Sequence, residues 1–191
     1  MYCKKKGKLI VVSGPSGSGK STIVKHLLSQ NLNLVFSVSA CTRLKRKNEQ
    51  DGKDYFFLSV EDFKKKIETD EFLEWEEVYN NNFYGTLKSE VLGKIERGYN
   101  VIFDIDVIGA KSIKKIFNSQ AFLVYIQAPS IGDISDRLNS RSTEDSKQIS
   151  TRLAKAKFEE KEKSSFDYIL INNDLDEAKK NALIKVKEFI C

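Results

Sequence analysis

The chain has 191 residues, 40% hydrophobic and 31% charged, and its 32 lysines and arginines against 27 acids give a formal charge of +5. That length suits one folding unit with a sizeable core, and the balance argues against a disordered tail or a fibrous repeat. No apolar stretch approaches the roughly 20 residues needed to span a bilayer, and the basic excess is dispersed, which suits an anionic ligand without demanding nucleic acid.

Basic residues precede the apolar run "KLIVVS", as in a signal peptide, but the run is short and leads straight into glycines, so a first buried strand at Lys8 to Ser13 is the expectation. The loop "GPSGSGKST" follows, then a helix from Lys20 to Ser29 with apolar residues at Ile23, Val24, Leu27 and Leu28. A second strand is predicted at Leu34 to Val38. The polar stretch after it, ending in Asp51-Gly52, reads as a loop. "YFFLS" from Tyr55 predicts a strand, and Ser59 with Asp62 a capped helix to Glu68.

Beyond that small mixed insert, a helix is predicted from Lys88 to Arg97, stopped by Gly98, then a strand through "NVIFDID" and a helix over Val107 to Phe117. "AFLVYIQ" is a further strand. Ser130 with Asp133 predicts another helix, Asp145 to Lys163 a long charged one, "FDYILIN" the last strand, and Asp174 to Ile190 the last helix. Alternating strands and helices predict a parallel sheet covered on both faces, the α/β class. Cys3, Cys41 and Cys191 share no metal-ligand or CxxC spacing, which points to a reduced, cytoplasmic setting.

Three groups of residues carry chemistry. Gly14 through Ser21 fits G-x-x-x-x-G-K-[ST] between a predicted strand and a predicted helix. There Gly14, Pro15, Ser16, Gly17, Ser18 and Gly19 would wrap backbone N–H groups around phosphates. Lys20 would reach the outer ones, and Ser21, with Thr22 behind it, would offer a hydroxyl to magnesium. In "VIFDID", alternation puts Asp104 and Asp106 on one face at a strand's C-terminal end; they would either cap the following helix or serve the metal and a second task. Arg43 and Arg46, with Tyr55 and Tyr84 further on, fit either a solvated loop or a cradle for a smaller phosphate. The only histidine, His26, has no partner pattern, and Trp75 reads as packing.

The segments "GPSGSGKST", "SVSACTR", "DGKDYFF", "FLEW", "FYGT", "DIDVIGA" and, less closely, "DRLNSRSTE" and "INNDLD" occur in an order that resembles the guanylate kinase family. The resemblance implies a P-loop nucleoside-monophosphate kinase fold in one domain over residues 1–191. It would have core segments at 8–38, 87–128 and 165–191, an α+β GMP-binding insert at 39–86, and a helical lid with its adjoining helix at 129–164. It implies phosphoryl transfer from ATP to GMP, and also to dGMP, with Mg2+ held by Ser21 and Asp104. Arg43, Arg46, Tyr55 and Tyr84 would hold the GMP phosphate, and Ser39, Glu74, Thr86 and Asp106 would surround the guanine. Lid arginines Arg137, Arg141 and Arg152 would join Lys20 and Asp104 in the catalytic set, and Asn172 would contact the donor adenine.

This sequence departs from the family pattern in four places. "SRST" stands where Gly-Arg-Gly-Thr is usual, "LKRKN" lacks the usual prolines and glycine, and Asn173 replaces an aspartate. "YNNNFYGT" is one residue longer than usual, so Tyr84 and Thr86 are placed by the "YGT" match rather than by counting. A GTPase would share the loop but need Asn-Lys-x-Asp, which "INNDLD" does not supply. A non-catalytic scaffold module would have a degraded loop, whereas Lys20 and Ser21 are present. Partners expected are GMP or dGMP and ATP, not nucleic acid or membrane; a homo-oligomer is neither required nor excluded.

Overall fold

In the computed structural model, which describes residues 6–79, 81–129 and 146–191, five strands form one sheet and four form another. The large sheet has β1 (Leu9–Ser13) at its centre, flanked by β7 (Asn100–Asp104) and β8 (Ala121–Gln127), with β2 (Leu34–Phe36) and β9 (Tyr168–Ile171) at the edges. Every pairing in it is parallel.

The period-two rule sorts its side chains. Ile10 and Val12 face α1 (Lys20–Leu28) and α6 (Leu175–Ile190), where Ile23, Leu27, Ala178 and Val186 close one core. Leu9 and Val11 face α3 (Lys88–Glu96) and α4 (Val107–Phe117), where Val91, Ala110 and Ile113 close the other. β1 is buried on both faces, which is why it reads as an unbroken apolar run rather than an alternating one. Each such aliphatic side chain contributes on the order of 1.5–3 kcal/mol of burial.

The small sheet, ordered β4 (Phe56–Phe57), β3 (Ala40–Cys41), β6 (Asn82–Leu87), β5 (Phe72–Tyr79), has its own core. There Phe63 of α2 (Val60–Glu68) stacks on Phe72 at 4.3 Å and on Phe83 at 5.5 Å. Ser59 caps α2 as predicted, accepting from Asp62 N at 3.0 Å.

Two differences from the sequence expectation matter for the site. The "YFFLS" strand shrinks to two residues, and the long strand of the insert is instead β5, paired antiparallel with β6 and not anticipated. Its signal was available: two aromatic and β-branched runs joined at "NN", with Asn81 at φ 58, a left-handed turn conformation that asparagine tolerates. A register irregularity between Glu77 and Tyr79 takes up the odd residue, while Glu74↔Thr86 and Glu76↔Tyr84 pair in order. The second difference is that β7 stops at Asp104, so Asp106 is the N-cap of α4 rather than a strand residue.

Candidate active site

The loop between β1 and α1 is shaped by backbone. Gly14, at φ 136, passes so close to β8 that a Cβ there would stand 2.4 Å from the Ile126 carbonyl oxygen. Gly19, at φ 97, is the N-cap of α1 and gives it no side-chain cap, and the first turn holds no acid. By contrast Ser59, Asp106 and Asp174 cap α2, α4 and α6 with their own oxygens. The first N–H groups of α1 are therefore left for an anion; α3 also lacks a side-chain cap, but Glu90 stands in its first turn. Lys20 Nζ donates to the carbonyls of Gly14 at 2.7 Å and Pro15 at 3.0 Å, which sets the ammonium across the loop.

Strand register brings the acids to this loop. Val12 lies opposite Asp104 in the parallel β1–β7 pair, and Ser21 Oγ donates to Asp104 Oδ2 at 2.8 Å. A hydroxyl and a carboxylate in contact at a phosphate loop are hard oxygen donors of the kind magnesium takes, with the remaining positions left to phosphates and water. No group of three or more His, Cys, Asp or Glu suited to a metal occurs among the described residues, so a cage built wholly of protein ligands is absent there.

Two cavities adjoin the loop. One, of 270 Å³, runs from Gly14, Ser16 and Lys20 past Ser39, Tyr55 and Tyr84 to Glu74, Ile105 and Asp106. The other, of 590 Å³, follows the loop and α1 toward Glu49 and Asp54. They share Ser16, Lys20, Ser39, Tyr55 and Asp104, so the phosphate loop borders both.

Arg43 lines neither cavity itself but sits 4.8 Å from the ring centre of Tyr55, which lines both, and the Tyr55 and Tyr84 rings meet edge to face at 6.1 Å. Glu49 fixes Arg43 by taking both Nη groups at 2.6 Å, and that guanidinium holds the Glu49 carboxyl down to about 2. Burial, with the charge of Asp104 next, pushes the Tyr55 phenol up to about 12, so it stays a donor. Arg46 differs from its partners: it is exposed, and its backbone N–H, not its side chain, is what bonds Glu49.

At the far end Glu74 and Thr86 face each other across β5 and β6, and Thr86 Oγ1 donates to Glu74 Oε1 at 2.6 Å. Burial pushes the Glu74 carboxyl up to about 7. Gly109 of α4 makes the room: a Cβ there would stand 2.7 Å from Glu74 Oε2. Asp106 Oδ1 accepts from the N–H groups of Ile108 and Gly109 at 3.0 and 2.9 Å while the residue also lines the cavity. The two readings of the "DID" acids thus divide: Asp104 faces Ser21, and Asp106 caps a helix and lines the site at once.

A family model described as guanylate kinase matches residues 6–190. The chain belongs to the guanylate kinase family. It is 48% identical to the guanylate kinase of Bacteroides thetaiotaomicron over 184 residues, 96% of this chain and 90% of that one. It is 46% identical to that of Thermotoga maritima, over 91% and 83% of the two chains. The crystal structure of guanylate kinase from Anaplasma phagocytophilum superimposes with a TM-score of 0.81 at 29% identity, covering 98% of this chain and 88% of that one.

Against the guanylate kinase resemblance, several residues stand elsewhere than expected. Asn172 is buried behind the phosphate loop, its amide donating to the Ser18 carbonyl at 2.7 Å, and it lines neither cavity. Gly19 is a glycine for the same reason, since a Cβ there would meet the Asn172 amide at 2.4 Å. Trp75 points away from Glu74 and is 46% exposed beside Phe83, so it does not pack as expected. Arg137, Arg141 and the Ser130–Asp133 cap lie outside the described residues; Arg152 falls within α5 (Ser146–Lys161), its side chain outside them.

Three charged residues lining the first cavity were missed altogether: Glu76, Lys155 and Glu159. Glu159 is 4% exposed, and burial pushes it up to about 7 against the nearby charges of Lys20 and Lys155. The i, i+2 spacing of Glu74 and Glu76 was a usable signal once β5 was known to be a strand, and Lys155 and Glu159 share a helix face at i, i+4.

Proposed function

We propose that the two ends of this site divide one reaction between donor and acceptor. The activity is that of the guanylate kinase family: ATP-dependent phosphorylation of GMP to GDP, with Mg2+, in purine nucleotide metabolism. The ATP phosphates lie on residues 14–22 against the uncapped start of α1, with Lys20 on the outer ones. Ser21 and Asp104 hold the magnesium, which neutralises charge on the phosphates.

The GMP phosphate meets Arg43, Tyr55 and Tyr84, with Arg46 joining from the loop. The base reaches Glu74, Thr86 and Asp106, with Ser39 beside it. Guanine presents N1–H and an exocyclic amine as donors, which carboxylates and hydroxyls complement; adenine presents an acceptor at N1, which they repel. The observation that carries this reading is that Lys20 and Asp104 border the cavity that also holds Tyr55, Tyr84 and Glu74.

The attacking oxygen on GMP is already anionic, so no general base is required; the chain holds two phosphates in line and excludes water. Arg137, Arg141 and Arg152 are assigned to charge that develops during transfer, and Asn172 to the donor side through its hold on Ser18. The core, insert and lid keep the boundaries proposed above. A cytoplasmic setting fits buried Cys41, which is in no disulfide, and no described helix is long and apolar enough to cross a membrane.

A coupled assay of ADP formation from MgATP tests the reading with four acceptors. GMP is expected to turn over best and dGMP next, with AMP and UMP poor. Equal turnover with AMP, or none with GMP, overturns it.

A further inference from the structure

The phosphate loop is held from behind by a side chain that lines no cavity. Asn172 follows β9, where its backbone N–H donates to the Gln127 carbonyl at 2.9 Å and carries the β8–β9 pairing one step past Ile171. Two residues on, Asp174 accepts from the Asp176 and Glu177 amides to cap α6, so the backbone is fixed on both sides of Asn172. Its Nδ2 donates to the Ser18 carbonyl at 2.7 Å, and a carbonyl oxygen can only accept, so the nitrogen is the end of the amide that faces the loop.

The peptide between Ser18 and Gly19 is trans, and a planar trans peptide aims its N–H opposite to its C=O. With the Ser18 oxygen drawn back toward Asn172, the Gly19 N–H points forward. Gly19 lines the 590 Å³ cavity beside Lys20 and Ser21, whereas Ser18 and Asn172 line neither cavity. Gly19 is also the N-cap of α1, so its N–H belongs with the donors that a helix start leaves over. Ser18 is wholly buried; without Asn172 its carbonyl finds a partner only by rotating the peptide, which carries the N–H off its line.

We propose that Asn172 is a positioning residue for the donor phosphates: it pins the Ser18–Gly19 peptide so that the Gly19 N–H stays aimed at a phosphate oxygen. The hold acts on the loop and is blind to the base, which separates it from a contact with the donor adenine. Gly19 completes the fit, since the space a Cβ would need is taken by the Asn172 amide.

This rests on placing the ATP phosphates on residues 14–22, and a probe without a base keeps the two claims apart. Inorganic tripolyphosphate, used as an inhibitor against MgATP at saturating GMP, reports on the donor phosphates alone. In Asn172→Ala its inhibition constant and KM for ATP should rise together by about tenfold, with KM for GMP within about twofold of the parent. Asn172→Asp keeps the shape without the donor and should lose as much. A general loosening of the fold would not divide donor from acceptor in this way. Should either variant fail to fold, the parent still decides: the Gly19 amide resonance should shift when tripolyphosphate is added.

A rise in KM for ATP with tripolyphosphate unaffected would make Asn172 a reader of the base and overturn the proposal. So would parent-like constants in Asn172→Asp, equal losses for ATP and GMP, or an unmoved Gly19 amide. If tripolyphosphate does not compete with MgATP on the parent, it is the placing of the phosphates on the loop that fails, and the role of Asn172 with it.

Discussion

The donor and acceptor ends of the site are built by opposite means. The phosphate loop is nine consecutive residues whose shape is backbone, set by glycines at φ 136, 87 and 97 and by one lysine held on two carbonyls. The acceptor end is side chains gathered from β5, β6, β7's exit and the 43–55 loop, each aimed by a partner: Arg43 by Glu49, Glu74 by Thr86, Asp106 by the α4 amides. A loop of the first kind grips any polyphosphate, whereas a set of the second kind can tell one base from another.

The sharpest break in that comparison is Lys20→Ala. Turnover should fall about 10³-fold or more, because the ammonium acts on charge that moves in the transition state, while the GMP dissociation constant shifts by less than about threefold. Single-turnover kinetics and titration calorimetry with GMP measure the two quantities. Loss of GMP binding with turnover retained would reverse the assignment of the two phosphate positions.

The same contrast explains what could be read without a fold. The donor loop was legible because its chemistry is contiguous and its flanks, an apolar run and an amphipathic helix, announce a strand and a helix in so many residues. The parallel sheet was legible for a similar reason, since β1, β7 and β8 are buried on both faces and read as apolar runs. The acceptor residues were placed by family resemblance, not by pattern.

Glu76, Lys155 and Asn172 show the limit. Glu76 looks like one of many solvated acids until β5 is known to be a strand, Lys155 is one lysine in a charged helix, and Asn172 reaches the loop across 154 positions of sequence. Only packing brings such groups together, and no local periodicity encodes it.

Arg43→Ala probes the acceptor end. The charge-assisted contact to the smaller phosphate goes, and the dissociation constant for GMP should rise about 100-fold, with KM for ATP within about twofold. Equal damage to both substrates, measured by calorimetry and initial rates, would mean that the 43–55 loop serves the donor as well.

Glu74→Gln separates recognition from stability. The folded pKa of Glu74, about 7, lies above the unfolded value near 4.5, so between those values the folded chain keeps a proton that the unfolded chain has lost. Stability from this group is therefore present at acid pH and declines as pH rises through the window; the amide cannot ionise and escapes the decline. Urea unfolding should show the variant more stable than the parent by about 2 kcal/mol at pH 8 and little different at pH 4, while its GMP affinity falls. A variant less stable at pH 8 would mean that Glu74 is not the penalised acid its burial makes it.

The smallest effect tests how finely the acceptor end is set. Gly109 lies within α4, where alanine is the better helix former by about 1 kcal/mol, so Gly109→Ala should not lower the unfolding midpoint. The added Cβ would nevertheless stand 2.7 Å from Glu74 Oε2, and the end of that side chain must move a few tenths of an ångström or more to admit it. What must give is the end of one side chain rather than backbone, so the cost to folding stays below the gain in helix propensity, while recognition suffers because that end is what meets the base. KM for GMP should rise about tenfold with KM for ATP unchanged, since the phosphate loop owes its shape to its own backbone. If KM stayed level while Thr86 kept its bond to Glu74, the carboxylate would be reading the base through Oε1 alone.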